Sequence, residues 1–299
     1  MITPVGSRPV VRAAVGAAVT VAAEHGLRCS EPVVLSDSSN VVVHLAPSPV
    51  VARVATTTGL VRSNVAATMA KDLALADYLA GQGAAVVAPS PELPTGPHTS
   101  GGYPVTFWTC VEHEQDHTFR PEEVGPLLAE LHHHLRDFPG DLPDAPPLDV
   151  PLIVEHLRES LTAEGLLTED DLAGMLAAHE RVQRAIAATG DERLPLHGDA
   201  HPANLLFTTQ GPMWTDFEDA WRGPIEWDLV CLATTGRLDG RAAVATYPDA
   251  PDDAALAPYL EGRLLQGLAW SFVYQHHFPS DERRSHALNR LARWRESGR

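Results

Sequence analysis

Leu196-His197-Gly198-Asp199-Ala200-His201-Pro202-Ala203-Asn204-Leu205-Leu206-Phe207, followed by Trp214-Thr215-Asp216-Phe217-Glu218, is the stretch on which the reading of this chain turns. An Asp sits on a tight Gly turn, an Asn stands five residues on, an apolar strand follows, and a second Asp opens the next loop. That order places three oxygen ligands at one sheet edge. Phosphoryl transfer asks for such a set: a base beside the attacking hydroxyl, and hard oxygen donors that hold Mg²⁺ on the phosphates. An Asp or Asn alone in a Gly-containing turn serves turn geometry. The ordered spacing of all three is what makes the stretch specific.

Working outward, the residues before this stretch divide into a strand-rich third and a helical remainder. Val33 to Leu35, Val41 to Leu45 and Val50 to Ala55 are β-branched runs, the last two joined by Ala46-Pro47-Ser48-Pro49 as a turn. The polar loop Ser36 to Asn40 precedes that hairpin. Apolar residues Ala66, Met69, Ala70, Leu73, Ala76 and Leu79 recur at helical spacing, with Gly81 and Gly83 as the stop. A strand is expected over Ala85 to Ala88, a surface loop over Pro89 to Gly102, and a further strand over Val105 to Val111. Beyond it the pattern is helical: one helix marked by Leu127, Leu128, Leu131 and Leu135, one from Glu169 to Thr189 capped by Thr168, and two more over Ala254 to Gln275 and Asp281 to Glu296. A small sheet followed by a larger helical part predicts two lobes with a ligand crevice between them.

Composition narrows the partners. The 299 residues carry a formal net charge of −17, which argues against nucleic acid and anionic membrane surfaces and welcomes a cationic small substrate. Cys29, Cys110 and Cys231 show neither metal-ligand nor disulfide spacing, so a reducing cytoplasm is expected. Arg8 and Arg12 ahead of the apolar Ala13 to Ala23 have the outline of a secretory signal. The absence of Leu and Phe and the stop at Gly26 favour a helix there instead.

The decisive stretch resembles the aminoglycoside phosphotransferase and choline kinase superfamily: HGDAHPAN matches its HGDxxxxN catalytic loop and WTDFED its metal loop. Pro224-Ile225-Glu226-Trp227-Asp228-Leu229 resembles the segment that follows, in which an Asp braces the catalytic loop from behind. The motif-grade match is confined to residues 194 to 232. The resemblance implies an α+β, bilobed protein-kinase-like fold, with a small N-terminal nucleotide-binding lobe on an antiparallel sheet (1–110) and a larger, mostly helical catalytic and substrate lobe (111–299). It implies an ATP- (or GTP-) and Mg²⁺-dependent transfer to a hydroxyl of a small molecule. Asp199 becomes the catalytic base, His197 the residue that orients the loop, Asn204 and Asp216 the Mg²⁺ ligands, and Asp228 the brace.

The small lobe departs from the family pattern. Its third strand usually carries a Lys on the α- and β-phosphates, paired with a helix carboxylate. Here Val50-Val51-Ala52-Arg53-Val54 puts Arg53 in that place, and the chain's only lysine, Lys71, stands beside Asp72, where a Glu is expected. A longer cation and a shorter acid span a similar gap, so Arg53 is expected to pair with Asp72 and grip phosphate oxygens. Ser38, Ser39 and Asn40 occupy the place of the phosphate-covering loop, without a glycine. The segment Trp108 to Glu112 resembles the hinge, where the backbone of Cys110 and Val111 would meet the adenine edge.

The acids Glu218, Asp219 and Glu226 near the catalytic loop tilt the acceptor toward an amine-bearing compound such as an aminoglycoside-like antibiotic, an amino sugar or a choline-like alcohol. Two other readings compete. A non-catalytic, pseudokinase-type nucleotide-binding module is suggested by the missing Lys. A zinc peptidase is suggested by His113-Glu114-Gln115-Asp116-His117, which satisfies HExxH. Against the second stand Pro121 just beyond it, its polar interior, and the lack of an HxxGxxH continuation. Of His132, His133 and His134, one is expected to point inward and two to lie on a solvated helix face.

Overall fold

The Ala- and Val-rich N-terminal segment forms helix α1 (Pro9–Glu24). Pro9 sits in the first turn, where a missing N–H costs no hydrogen bond, and Gly26 follows the end of the helix at φ 81°. Val11, Ala14, Ala17, Ala18, Val21 and Ala22 are buried, and their small side chains let the helix lie close on a sheet.

In the computed structural model, which describes residues 8–190 and 192–297, the chain divides into two compact units. Of the described residues, the first unit holds those up to His117, Phe138–Gly140 and Ala203–Glu218; the second holds Thr118–Asp137, Asp141–Pro202 and those from Asp219 onward.

The first unit is built on an antiparallel sheet of β1 (Glu31–Asp37), β2 (Asn40–Ala46), β3 (Val50–Ala55), β4 (His98–Ser100) and β5 (Tyr103–Thr109), in the order β1-β2-β3-β5-β4. The two-residue period of a strand decides what faces α1. Val41, Val43, Leu45, Val50, Ala52, Val54, Val105 and Phe107 join the α1 cluster. Arg53, between Ala52 and Val54, therefore points to the other face, in register with Val42 of β2 and Thr106 of β5. After the short α2 (Thr57–Val61) comes α3 (Val65–Gly81), capped by Asn64, whose side chain accepts from the Ala67 N–H at 3.3 Å. Asp72 falls within the buried stripe of α3 with Met69, Leu73, Ala76 and Leu79. A hairpin of Leu205–Thr208 and Gly211–Trp214 completes this unit.

Two expectations need correction. Ala85 to Ala88 is not a strand: it makes one isolated bridge, in which the Trp214 N–H donates to Ala85 at 2.8 Å and Val87 donates to Trp214 at 2.9 Å, before Pro89 interrupts the donors. The expected loop Pro89 to Gly102 contains β4, which turns into β5 through Gly101 and Gly102 at φ 57° and 83°. Two consecutive positive φ values are what a tight hairpin turn demands, and a Gly-Gly pair supplies them.

The second unit is helical: α4 (Pro121–Leu135), α5 (Val150–Ala163), α6 (Glu169–Ala188), α7 (Glu226–Ala233), α8 (Gly240–Val244), α9 (Asp253–His277) and α10 (Asp281–Glu296). Helix α9 is the hub and packs on α5, α6, α7 and α10. Leu194–Pro195 pairs with Arg222–Gly223. The helices read from periodicity are present; α5, α7 and α8 were not read from the sequence. In α7, residues Trp227 to Leu232 are all buried, so no polar face marks a helical period. No helix among the described residues is long and apolar enough to cross a membrane.

Thr168 caps α6 in a reciprocal box with Asp171: the Asp171 N–H donates to Thr168 Oγ1 at 3.2 Å, and the Thr168 N–H donates to Asp171 Oδ2 at 2.8 Å. Arg295 of α10 lays its fork on the same carboxylate, at 2.8 and 2.6 Å. Arg295 foremost, and Thr168 after it, hold the Asp171 carboxyl at about 2 despite burial. A carboxyl whose folded value lies below the unfolded value of about 3.9 stabilises the fold fully above that pH and progressively less as the pH falls toward the folded value. Asp171→Asn is therefore expected to lower stability by about 1 kcal/mol at neutral pH. In urea unfolding, the gap to the unsubstituted protein should narrow between about pH 4 and pH 2; a gap independent of pH would refute the ion pair.

Candidate active site

In the first unit, the guanidinium of Arg53 is enclosed by carboxylates. Its Nη1 donates to Asp72 Oδ2 at 2.8 Å, and its Nη2 lies 2.7 Å from both Asp216 Oδ1 and Glu218 Oε2. Arg62 adds a second contact to Glu218, at 3.4 Å. Asn40 closes the remaining side. With its carbonyl turned to Arg53, Oδ1 accepts from Nε at 3.0 Å and from Nη2 at 2.9 Å, while its amide donates to the Ser39 carbonyl and to Thr58 Oγ1. Arg53 is 7% exposed and Asp72 1%, whereas the Asp216 side chain keeps 36% of its surface open.

Asp72 serves two partners: Oδ2 takes Arg53, and Oδ1 accepts the Phe217 N–H at 2.9 Å. One helix carboxylate thus fixes both the cation and the backbone of the loop that carries Asp216, itself at φ 70°. Burial pushes the Asp72 carboxyl up to about 7, opposed by Arg53 and reinforced by Asp216 and Glu218. Burial by itself would lower Arg53, but Asp216, Glu218 and Asp72 outweigh it and hold the guanidinium firmly protonated. Of the three acids, Asp216 has the most open side chain.

The other nucleotide residues expected from the sequence have these places. The Ser38 N–H donates to the Asn40 carbonyl at 3.2 Å and the Ser39 carbonyl accepts the Thr58 N–H at 3.0 Å, so the loop is pinned to α2. The Cys110 N–H donates to the Pro49 carbonyl at 3.0 Å, and the Val111 carbonyl meets His113 Nδ1 at 3.1 Å. Asn204 ends a short 3₁₀ turn, 8% exposed, its carbonyl accepting the Thr215 N–H at 3.0 Å.

In the second unit, the catalytic-loop residues are clamped by Asp228 at the start of α7. Its Oδ1 accepts the Gly198 N–H at 2.8 Å; its Oδ2 accepts the His197 N–H at 2.9 Å and lies 3.1 Å from His132 Nε2. His132 is the inward member of its run and reaches Tyr247 Oη at 3.0 Å, while His133 is exposed. Trp227 Nε1 donates to the Gly198 carbonyl at 2.8 Å. Gly198 is at φ 85°, and a Cβ there would stand 1.9 Å from the Asp219 carbonyl oxygen, so no other residue fits. His197, fully buried, accepts the Asp199 N–H on Nδ1 at 3.3 Å.

Asp199 itself meets Arg263 Nη2 at 2.5 Å and His201 Nε2 at 3.2 Å. Burial would raise this carboxyl, but Arg263 foremost, then His201 and His197, hold it well below the usual carboxylate range. Arg263 comes from α9 and is steadied by Gln266 Oε1 at 2.8 Å. Neither Arg263 nor the buried role of Glu218 was read from the sequence: Arg263 lies outside any motif, and Glu218 was counted among acids facing a substrate.

Residues 111 to 120 form no helix, so His113 and His117 do not share a helix face as a zinc peptidase requires. His113 bridges Thr208, and His117 stacks flat on Phe207 at 3.7 Å. The donor set of Asp216 and Asn204 is of another kind. Hard oxygen donors, one of them on a half-open carboxylate, are the kind that suits Mg²⁺.

Comparison with known proteins gives the family. Stress response kinase A of Salmonella paratyphi A is 27% identical over 169 residues, 52% of this chain and 51% of that protein. The chain thus spans about half the length of the curated relatives it matches. Among solved structures, the GDP and kanamycin complex of APH(2")-IIia is similar in fold, with a TM-score of 0.64 at 17% identity over 94% of this chain and 97% of that one. Amicoumacin kinase hAmiN in complex with AMP-PNP, Ca²⁺ and Ami has a TM-score of 0.62 at 13% identity, over 92% and 91%. The model of the phosphotransferase enzyme family, APH, matches residues 32–271, and the chain belongs to that family.

Proposed function

We propose that this protein transfers the γ-phosphoryl group of ATP or GTP, with Mg²⁺, to a hydroxyl of a small molecule. The observation that carries the reading is Arg53, held at once by Asp72 and Asp216 where the family places a lysine. In this reading residues 1–110 bind the nucleotide, and 111–299 carry the catalytic loop and the acceptor. Arg53 grips the α- and β-phosphates in place of its contact with Asp216 Oδ1, while Asp72 orients it. Ser38, Ser39 and the backbone of Cys110 and Val111 line the nucleotide. Asn40 contributes indirectly, by holding Arg53. Asn204 and Asp216 hold Mg²⁺, which when bound neutralises charge on the phosphate oxygens.

Asp199 accepts the hydroxyl proton, and His197 keeps its loop in place. Because Arg263 and His201 favour its charged form, Asp199 stays ionised at neutral pH and aims the hydroxyl. In a loose phosphoryl-transfer transition state there is little covalent chemistry for the protein to do, so weak basicity costs little. The acceptor is amine-bearing: an aminoglycoside-like antibiotic, an amino sugar or a choline-like alcohol. That choice rests on the net charge of −17 and on Asp219 and Glu226. Glu218 is withdrawn from it, since Arg53 and Arg62 occupy its carboxylate. A phosphorylation screen with Mg-ATP over such hydroxyl compounds tests the reading, and a protein that binds Mg-ATP but phosphorylates none of them would favour the pseudokinase alternative.

Asp199→Asn should lower kcat at least about 100-fold with nucleotide affinity within a few-fold. Near-normal turnover would remove Asp199 from the mechanism. Asp216→Ala should abolish turnover and the Mg²⁺-dependent part of ATP binding, read by calorimetry with and without Mg²⁺. Unchanged Mg-ATP binding would dismiss the metal role.

Arg53→Lys should weaken Mg-ATP binding and turnover, because a single ammonium cannot serve Asp72, Asp216 and Glu218 together. Adding Asp72→Glu should restore part of the loss by reaching the shorter cation. Coupling between the two substitutions of about 0.5 to 3 kcal/mol in Mg-ATP affinity is expected. Additive effects would show that the pair does not act as a unit in nucleotide binding.

A further inference from the structure

Three imidazoles that neither catalysis nor nucleotide binding uses converge on the second unit. His156 lies on α5; His276 and His277 form the end of α9, which packs against α5. One ring nitrogen from each lies within 4.8 Å of those of the other two, and His156 Nε2 stands 3.1 Å from His277 Nε2. The rings of His156 and His277 are stacked at 17°, and His276 stands edge-on to them at 88° and 84°. His156 is exposed and the other two are half-buried, so the group is open to solvent ions.

Imidazoles gain little from such an arrangement on their own. A hydrogen bond joins two ring nitrogens, not three, and protonating any ring sets a cation against its neighbours. Neutral imidazole is the form that ligates metals. Two nitrogens on one tetrahedral Zn²⁺, each at about 2.0–2.1 Å, stand roughly 3.3–3.4 Å apart. The 3.1 Å pair is already near that spacing, and the His276 nitrogen, within 4.8 Å of both, is the one that must close in. The donors are all nitrogen, so the cluster discriminates against Mg²⁺ and Ca²⁺, which take oxygen. It thus differs in kind from the oxygen set of Asn204 and Asp216.

We infer that His156, His276 and His277 form a binding site for a borderline transition-metal dication of the Zn²⁺, Ni²⁺ or Cu²⁺ class. Three imidazoles and a water complete four-coordination, and the ion clips α5 to the end of α9. The site does not depend on the kinase reading.

The test uses the full chain, stripped of metal by a chelator and titrated with Zn²⁺ at pH 7.5 in excess Mg²⁺. One equivalent should bind at roughly micromolar affinity or tighter. His156→Ala, His276→Ala and His277→Ala should each weaken it at least about tenfold, as expected for loss of one of three ligands. His133→Ala, in the neighbouring pair His133 and His134 on α4, should leave it unchanged. Zn²⁺ should also raise the unfolding temperature of the unsubstituted protein but not of His156→Ala. Co²⁺ should give the intense visible bands of a four-coordinate site. His156→Gln serves in place of His156→Ala should the latter fold poorly. Absence of stoichiometric binding in Mg²⁺, binding that survives loss of His156, or a weak six-coordinate Co²⁺ spectrum would each overturn the assignment.

Discussion

Burying a guanidinium costs several kcal/mol unless its donors are met, and Arg53 meets that demand with Asp72, Asp216, Glu218 and Asn40 together. The arrangement needs an arginine. Five N–H donors in a planar fork serve several oxygens at fixed angles, whereas an ammonium is one compact point of charge. Because Asp72 also holds the Phe217 N–H, the position of the Asp216 loop follows from the same contact. The sheet face, helix α3 and the loop that carries Asp216 are thereby made one object.

The second unit solves a similar problem in a similar way. The loop that carries Asp199 has little regular hydrogen bonding of its own, and Asp228, wholly buried, accepts two successive backbone N–H groups from it and meets His132. Unpaired, those groups would cost about 1–3 kcal/mol each. In each unit a buried carboxylate on a helix thus stands in for the ladder that a loop lacks. Each loop also carries a residue at positive φ, Asp216 or Gly198, where the surrounding contacts enforce an otherwise rare backbone.

The neighbours of Asp199 set its chemical character more than its motif does. A carboxylate in this loop would be raised by burial alone; Arg263 reverses the sign and keeps it charged. This guanidinium comes from a helix more than sixty residues further along the chain, and it holds Asp199 in an ion pair.

The sequence by itself determined the local parts. The β-branched run Val50 to Ala55 marked β3, the apolar spacing from Ala66 to Leu79 marked α3, and the family resemblance put Arg53 beside Asp72. The HGDxxxxN spacing located Asp199 and Asn204, and the WTDFED segment Asp216, because turn chemistry and short periods are written in neighbouring residues. The β4 hairpin was missed, because the prolines and glycines from Pro89 to Gly102 read as loop and hid the Gly101-Gly102 turn pair. What only the tertiary structure decided were the partnerships between distant segments: Glu218 spent on Arg53 and Arg62, Arg263 on Asp199, and His156 beside His276 and His277. Such pairs carry no spacing signal. Each partner looks like an ordinary surface residue in its own helix or loop, and only packing of the elements removes the water that would otherwise screen it.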